Sequence, residues 1–275
     1  EEKVEQTGES SECHNLSHVF GEELYARTKD VGAAIAQCTT ACHFGCMHGA
    51  VGALVREKKI SGGGTVEDSI EGLSPVALCA EHNQSRSAGE FQLCLHGFGH
   101  VFMVYRAGDI FAALADCDRL ELGNPLYENQ CWSGVFMENR SNLMGAGHTY
   151  IRADDLLYPC TMSDMPPQYL RACYLQLPAR TSSSTCARAP ETWRAVCAEG
   201  IGLGLASRRT DDLRFITEGC RQGDADFTAA CMRGAFFYLG LDVQRGLARD
   251  DPRMKNFCSL LTPQESPVCN MLEEL

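Results

Sequence analysis

The sequence predicts an all-α protein, an array of about six to seven disulfide-stapled αα-hairpin repeats stacked as a solenoid or a partly closed ring. Three observations carry this. From Cys79 onward the cysteines fall into pairs 11 to 15 residues apart: 79/94, 117/131, 160/173, 186/197, 220/231 and 258/269. Eight residues before the first cysteine of five units stands an acid, Asp30, Glu71, Asp109, Asp212 or Asp250, suited to cap a helix whose orphan amides and dipole favour a carboxylate. Three residues after the second cysteine of most units stands a glycine, and repeated acceptance of its helix-propensity cost implies close helix packing.

The units follow in order. In the first, Asp30 leads to Cys38, and Cys46-Met-His-Gly opens the second helix. In the second, Glu71 leads to Cys79 and Cys94-Leu-His-Gly follows. The third runs Asp109-Ile-Phe-Ala-Ala-Leu-Ala-Asp-Cys117, with apolar residues three and four apart, then Cys131-Trp-Ser-Gly. The fourth, Cys160 to Cys173, departs with Cys173-Tyr-Leu-Gln. The fifth and sixth resume with Cys197-Ala-Glu-Gly and Cys231-Met-Arg-Gly, and the seventh joins Cys258 to Cys269. Tyr127, Tyr169, Trp193 and Phe227 each precede the second cysteine by four residues, one helical turn, so ring and sulfur share a face. No sustained period-two alternation or Asn-Gly hairpin suggests strands. Lys58 to Val66, with three glycines, is expected to be a flexible connector; Ser141 to Asp154 is a lengthened interval of the kind that lines one face of a repeat array.

The architecture resembles that of cysteine-rich, disulfide-stapled αα-repeat proteins, from which it departs in wider pair spacing and in its C-x-x-G core. No functional residue is carried across. The whole chain, 1–275, is taken as a single helical-repeat domain, with a histidine-bearing functional half (14–148) and a scaffold half (149–275).

Sixteen cysteines, an even number, in 275 residues indicate an oxidising compartment. With no basic or apolar leader at its start, the chain reads as a mature exported form, secreted or periplasmic. No C-x-x-C pair supports a cytosolic zinc site. The net charge of -12 argues against nucleic acid, and the apolar runs are far too short to span a membrane. Cys42 is left to pair with Cys13 by elimination. The alternative, Cys38-x-x-x-Cys42-His43 as a loosened c-type haem attachment, would break the staple between Cys38 and Cys46.

Histidine marks the candidate site. All eight lie at or before His148, and His14-Asn-Leu-Ser-His18-Val-Phe and His96-Gly-Phe-Gly-His100-Val-Phe share one H-x-x-x-H-V-F frame. Imidazoles at i and i+4 on a helix offer two ligands to one metal. His48 stands two residues after Cys46 as His96 does after Cys94, so His14, His18, His48, His96 and His100 are expected to converge on a transition metal, copper or iron ahead of zinc. A non-covalent haem would be a second use of the same imidazoles. Glu138 is the candidate general base or ligand partner, and metal-dependent oxidation or hydrolysis the reaction class if there is one, on a small-molecule substrate the sequence does not name. The competing reading is a metal-free scaffold whose surface docks a protein or peptide, its histidines packing at tight helix contacts. Sequons stand at Asn15, Asn83 and Asn139.

Overall fold

A computed structural model describes residues 10–38, 45–62, 79, 88–120, 122–142, 146–177, 181–244 and 252–273. Among these every regular element is helical and none is a strand. The chain divides into two compact units, residues 1–149 and 150–275. Unit 1 holds α1 (Ser10–Thr28), α2 (Val31–Ala36), α3 (Gly45–Gly62), α4 (Ala88–Tyr105), α5 (Ile110–Asp118) and α6 (Pro125–Ser141). Unit 2 holds α7 (Leu170–Leu175), α8 (Ser183–Cys186), α9 (Glu191–Arg208), α10 (Leu213–Cys220), α11 (Ala225–Gln244) and α12 (Pro252–Ser259), with 3-10 turns at Pro167–Tyr169 and Ser266–Glu273.

Among the described residues seven disulfides staple the chain locally: Cys38–Cys46, Cys79–Cys94, Cys117–Cys131, Cys160–Cys173, Cys186–Cys197, Cys220–Cys231 and Cys258–Cys269, with sequence separations of 8 to 15 residues. All seven are the pairs the spacing predicts. On a chain-entropy argument, closing a loop of that size contributes about 3 kcal/mol. The expected Cys13–Cys42 pair lies outside the described residues.

The acids eight residues upstream do cap helices. The Asp30 carboxylate accepts from the Ala33 amide, Asp109 from Phe111 and Ala112, and Asp212 from Phe215. Glu71 and Asp250 lie outside the described residues. Where the acid is missing the helix among the described residues is short or replaced by turns: Arg152 stands eight residues before Cys160 and turns follow it, while Pro178 stands eight before Cys186 and the described part of that stretch forms the single-turn α8. The hairpin unit is therefore not uniform along the chain. The expected connector after Lys58 is also different, because α3 continues through Lys58 to Gly62.

In four long helices the stapled cysteine sits in the second turn. Cys94, Cys131, Cys197 and Cys231 each fall six residues after the first residue of α4, α6, α9 and α11. This leaves the first turn to its own caps, Asn124 accepting from Leu126 for α6 and Asp224 from Phe227 for α11.

Candidate functional site

Three helix pairs dominate the packing, α1 with α3 and α4 with α6 in unit 1, and α9 with α11 in unit 2. All three meet through the same reciprocal contact of two glycines. A Cβ on Gly21 would come closer than 3.0 Å to the Cys46 carbonyl oxygen, and one on Gly49 to that of His18. Gly99 stands likewise against Cys131 and Gly134 against His96, while Gly202 stands against Cys231 and Gly234 against Glu199. Hydrogen in place of a methyl group lets the two backbones touch. The C-x-x-G glycine foreseen for one helix thus has a partner in a second motif on the other: His18-Val-Phe-Gly21, His96-Gly-Phe-Gly99 and Glu199-Gly-Ile-Gly202.

This crossing fixes which residues correspond. His18 in α1 matches His96 in α4, not His100 as the H-x-x-x-H-V-F frame implies, so that frame is out of register by one helical turn. The matching position in α9 is Glu199. On the facing helices, His48, Ser133 and Arg233 correspond, each one residue before its crossing glycine.

In unit 1 these positions form a buried polar seam. His18 and His48 have ring centroids 5.4 Å apart, His48 lies 5.9 Å from His96 and 5.0 Å from His100, and His96 and His100 are 4.9 Å apart. Gly97 makes room for His48, whose Cδ2 would lie 2.7 Å from a Cβ there. His100 and Glu138 are both fully buried, with His100 Nδ1 2.9 Å from Glu138 Oε2. His100 Nε2 lies 3.1 Å from His96 Nε2, and His96 Nε2 lies 3.3 Å from Met137 Sδ. A carboxylate only accepts, so the Nδ1–H of His100 donates to Glu138. With His100 neutral its Nε2 accepts from His96; with His100 protonated it donates to His96.

The structure brings together His18, His48, His96, His100 and Glu138, five of the six residues singled out from sequence. His14 lies in α1 with its side chain outside those described, and His43 and His82 lie outside the described residues altogether. The proximity does not make a metal centre, and the metal-binding function expected from these histidines is corrected here: among the described residues no group of three or more His, Cys, Asp or Glu side chains could hold a metal ion. The geometry shows why. A metal needs nitrogen lone pairs aimed at one point, whereas His48 stacks on His100 with ring planes 24° apart, and both nitrogens of His100 are engaged by Glu138 and His96. Cys38 is joined to Cys46 as the staple reading requires.

In unit 2 the same positions carry an ion pair. Glu199 Oε1 accepts from Arg233 Nε at 3.3 Å, and Glu199 Oε2 lies 3.6 Å from Arg171 Nη2. The pair is partly exposed and salt-screened.

One surface feature escaped the sequence reading. In α1, Leu16, Val19 and Phe20 are 59%, 64% and 47% exposed. At i, i+3 and i+4 they lie side by side, on a face away from buried Ser17, His18, Leu24 and Tyr25. The signal was an α1 segment apolar on both faces. By contrast Asn139 of the sequon at 139–141 is buried and does not present a glycosylation site on the surface. No helix among the described residues is long and apolar enough to cross a membrane. No family model, curated protein or solved structure matches this chain at a significant level.

Proposed function

We propose that this chain is an exported, disulfide-braced helical scaffold that docks a protein partner through the outer face of α1, without a metal. The observation that carries the reading is the Leu16, Val19 and Phe20 stripe, three large apolar side chains held side by side and open to solvent. Single exposed apolar residues need no explanation, but a contiguous group marks an interaction surface. A helix face of this kind suits an apolar segment of another protein packed along it, with i, i+3 and i+4 anchors. Export is supported by the seven disulfides, which form and persist in oxidising compartments such as the extracellular space or the periplasm. The recurrence of one glycine crossing in three helix pairs supports reading the chain as an array of related units.

The test is site-specific photo-crosslinking in the native host, with the crosslinker at position 19 and, as control, at the exposed position 255. A discrete adduct with another protein at 19, absent at 255 and lost in Leu16→Glu/Phe20→Glu, supports the reading. An adduct of the chain with itself, or no adduct at 19, overturns it.

A further inference from the structure

The glycine crossing aligns α1, α4 and α9 residue by residue, with Gly21, Gly99 and Gly202 in register. Two residues earlier, on the opposite side of each helix, stand Val19, Gly97 and Gly200. In α4 and α9 that side is covered by an earlier helix of the same unit. His48 of α3 lies against Gly97, with its Cδ2 2.7 Å from the place of a Cβ. The backbone of α7 lies against Gly200, with the Tyr174 carbonyl oxygen 2.5 Å from the place of a Cβ. Cys94 and Phe98, which match Leu16 and Phe20, are buried, and so is Cys197 in α9. In α1 the same three positions are the exposed stripe, Leu16, Val19 and Phe20. This helix therefore carries the seat on which α4 and α9 receive another helix, and among the described residues none covers it.

We propose that this seat takes a basic amphipathic helix of the partner protein, laid across Val19 as α3 is laid across Gly97 and α7 against Gly200. The inference rests on the docking reading above and adds the shape and the charge of what docks. The shape follows from the seat, because a helix fills it in both other places. Leu16, Val19 and Phe20 also supply the i, i+3 and i+4 row that interdigitates with a row on a second helix. The charge follows from the surroundings. Residues 1–149 contain 20 Asp and Glu against 10 Lys and Arg, whereas residues 150–275 contain 16 against 14. Along α1 itself, Glu12 stands one turn before Leu16 and Glu23 one turn after Phe20. The apolar row thus lies between acids in the acidic unit of the chain. A field of that sign steers a cationic helix onto the seat and turns an anionic one away.

Photo-crosslinking in the native host tests it, with the reagent in turn at positions 16, 19 and 20 and each linked partner residue read by mass spectrometry. The expected adducts fall in one segment of the partner, at residues spaced by three, four or seven, and that segment has a net positive charge. Glu23 is exposed, so Glu23→Lys leaves the fold of α1 intact and should lower the adduct from position 16 about threefold. Partner residues two apart, links scattered over several segments, a net acidic segment, or an adduct that Glu23→Lys leaves unchanged or strengthens overturns this inference while the docking reading stands. No adduct from any of the three positions, or adducts confined to this chain, overturns both.

Discussion

Units 1 and 2 solve the same packing problem with opposite chemistry. In α4 with α6 and in α9 with α11, two glycines let the backbones touch, and one turn before the glycine of the second helix a disulfide ties that helix to the one preceding it. Beside the crossing, unit 1 buries His96 next to His48 and His100, whereas unit 2 places Glu199 and Arg233 within reach of water. The backbone contact is thus the constant of the design, and the side chains around it vary with the environment each unit offers. A partly exposed ion pair contributes little, about 1 kcal/mol or less. A fully buried histidine and glutamate are costly to separate, because no water takes the place of the bond between them.

The largest expected effect follows from that asymmetry. His100→Leu removes the buried hydrogen bond to the Glu138 carboxylate and should cost unit 1 about 3 to 5 kcal/mol, seen as early loss of protection in α4 and α6 with α9 and α11 unaffected. A stability unchanged in urea titration would show that Glu138 is not held by His100. Next, Gly134→Ala and Gly234→Ala should each cost about 3 kcal/mol, each in its own unit, since the new methyl meets a backbone carbonyl that cannot rotate away. Tolerance of either substitution would remove the crossing from the account.

Smaller effects sharpen the contrast. Glu265 forms a two-point pair with Arg221, at 2.8 and 2.7 Å, and the guanidinium holds its carboxyl down at about 2. A group whose folded value lies below its ordinary one stabilises above the ordinary value, so this contribution is present above pH 4.5 and lost as pH falls from 4.5 towards 2. Solvent screening keeps it to about 1 kcal/mol. Glu265→Gln should therefore lower the stability of unit 2 by that amount at pH 7 and flatten its acid limb; an acid limb as steep as before would count against the pair. Last, Gly204→Ala, in the same helix as Gly202 but with nothing within 4 Å of the added methyl, should raise the thermal midpoint by the equivalent of up to about 1 kcal/mol. Any destabilisation there would mean that α9 is more closely covered than its geometry shows.

Much of this fold is written in local signals. Cysteine spacing names the seven staples, because short loops leave few competing partners, and the upstream aspartates name the helix starts, because a carboxylate at an N-cap acts on amides two and three residues away. The same rule, applied to its own exceptions, would have located the turns before Cys160 and the short α8 before Cys186, where Arg152 and Pro178 stand. The site was less legible. The H-x-x-x-H-V-F frame matched letters rather than contacts, and set His18 against His100 when the glycine crossing sets it against His96. The histidines were expected to aim nitrogens at a metal, but side-chain direction depends on the neighbour across the crossing, and His48 meets a ring face. The exposed stripe on α1 was missed because the cysteine pattern drew attention to what is inside.

The short reach of the disulfides has a bearing on how the chain matures. Sixteen thiols can in principle be joined in a very large number of ways, yet each bond among the described residues closes across no more than 15 residues. Each partner thus arrives soon after the other as the polypeptide emerges into the oxidising compartment, and the contact to be sealed is local, which loop closure favours. Oxidation can run vectorially behind the emerging chain, one thiol pair after another, with little demand on an isomerase to undo errors.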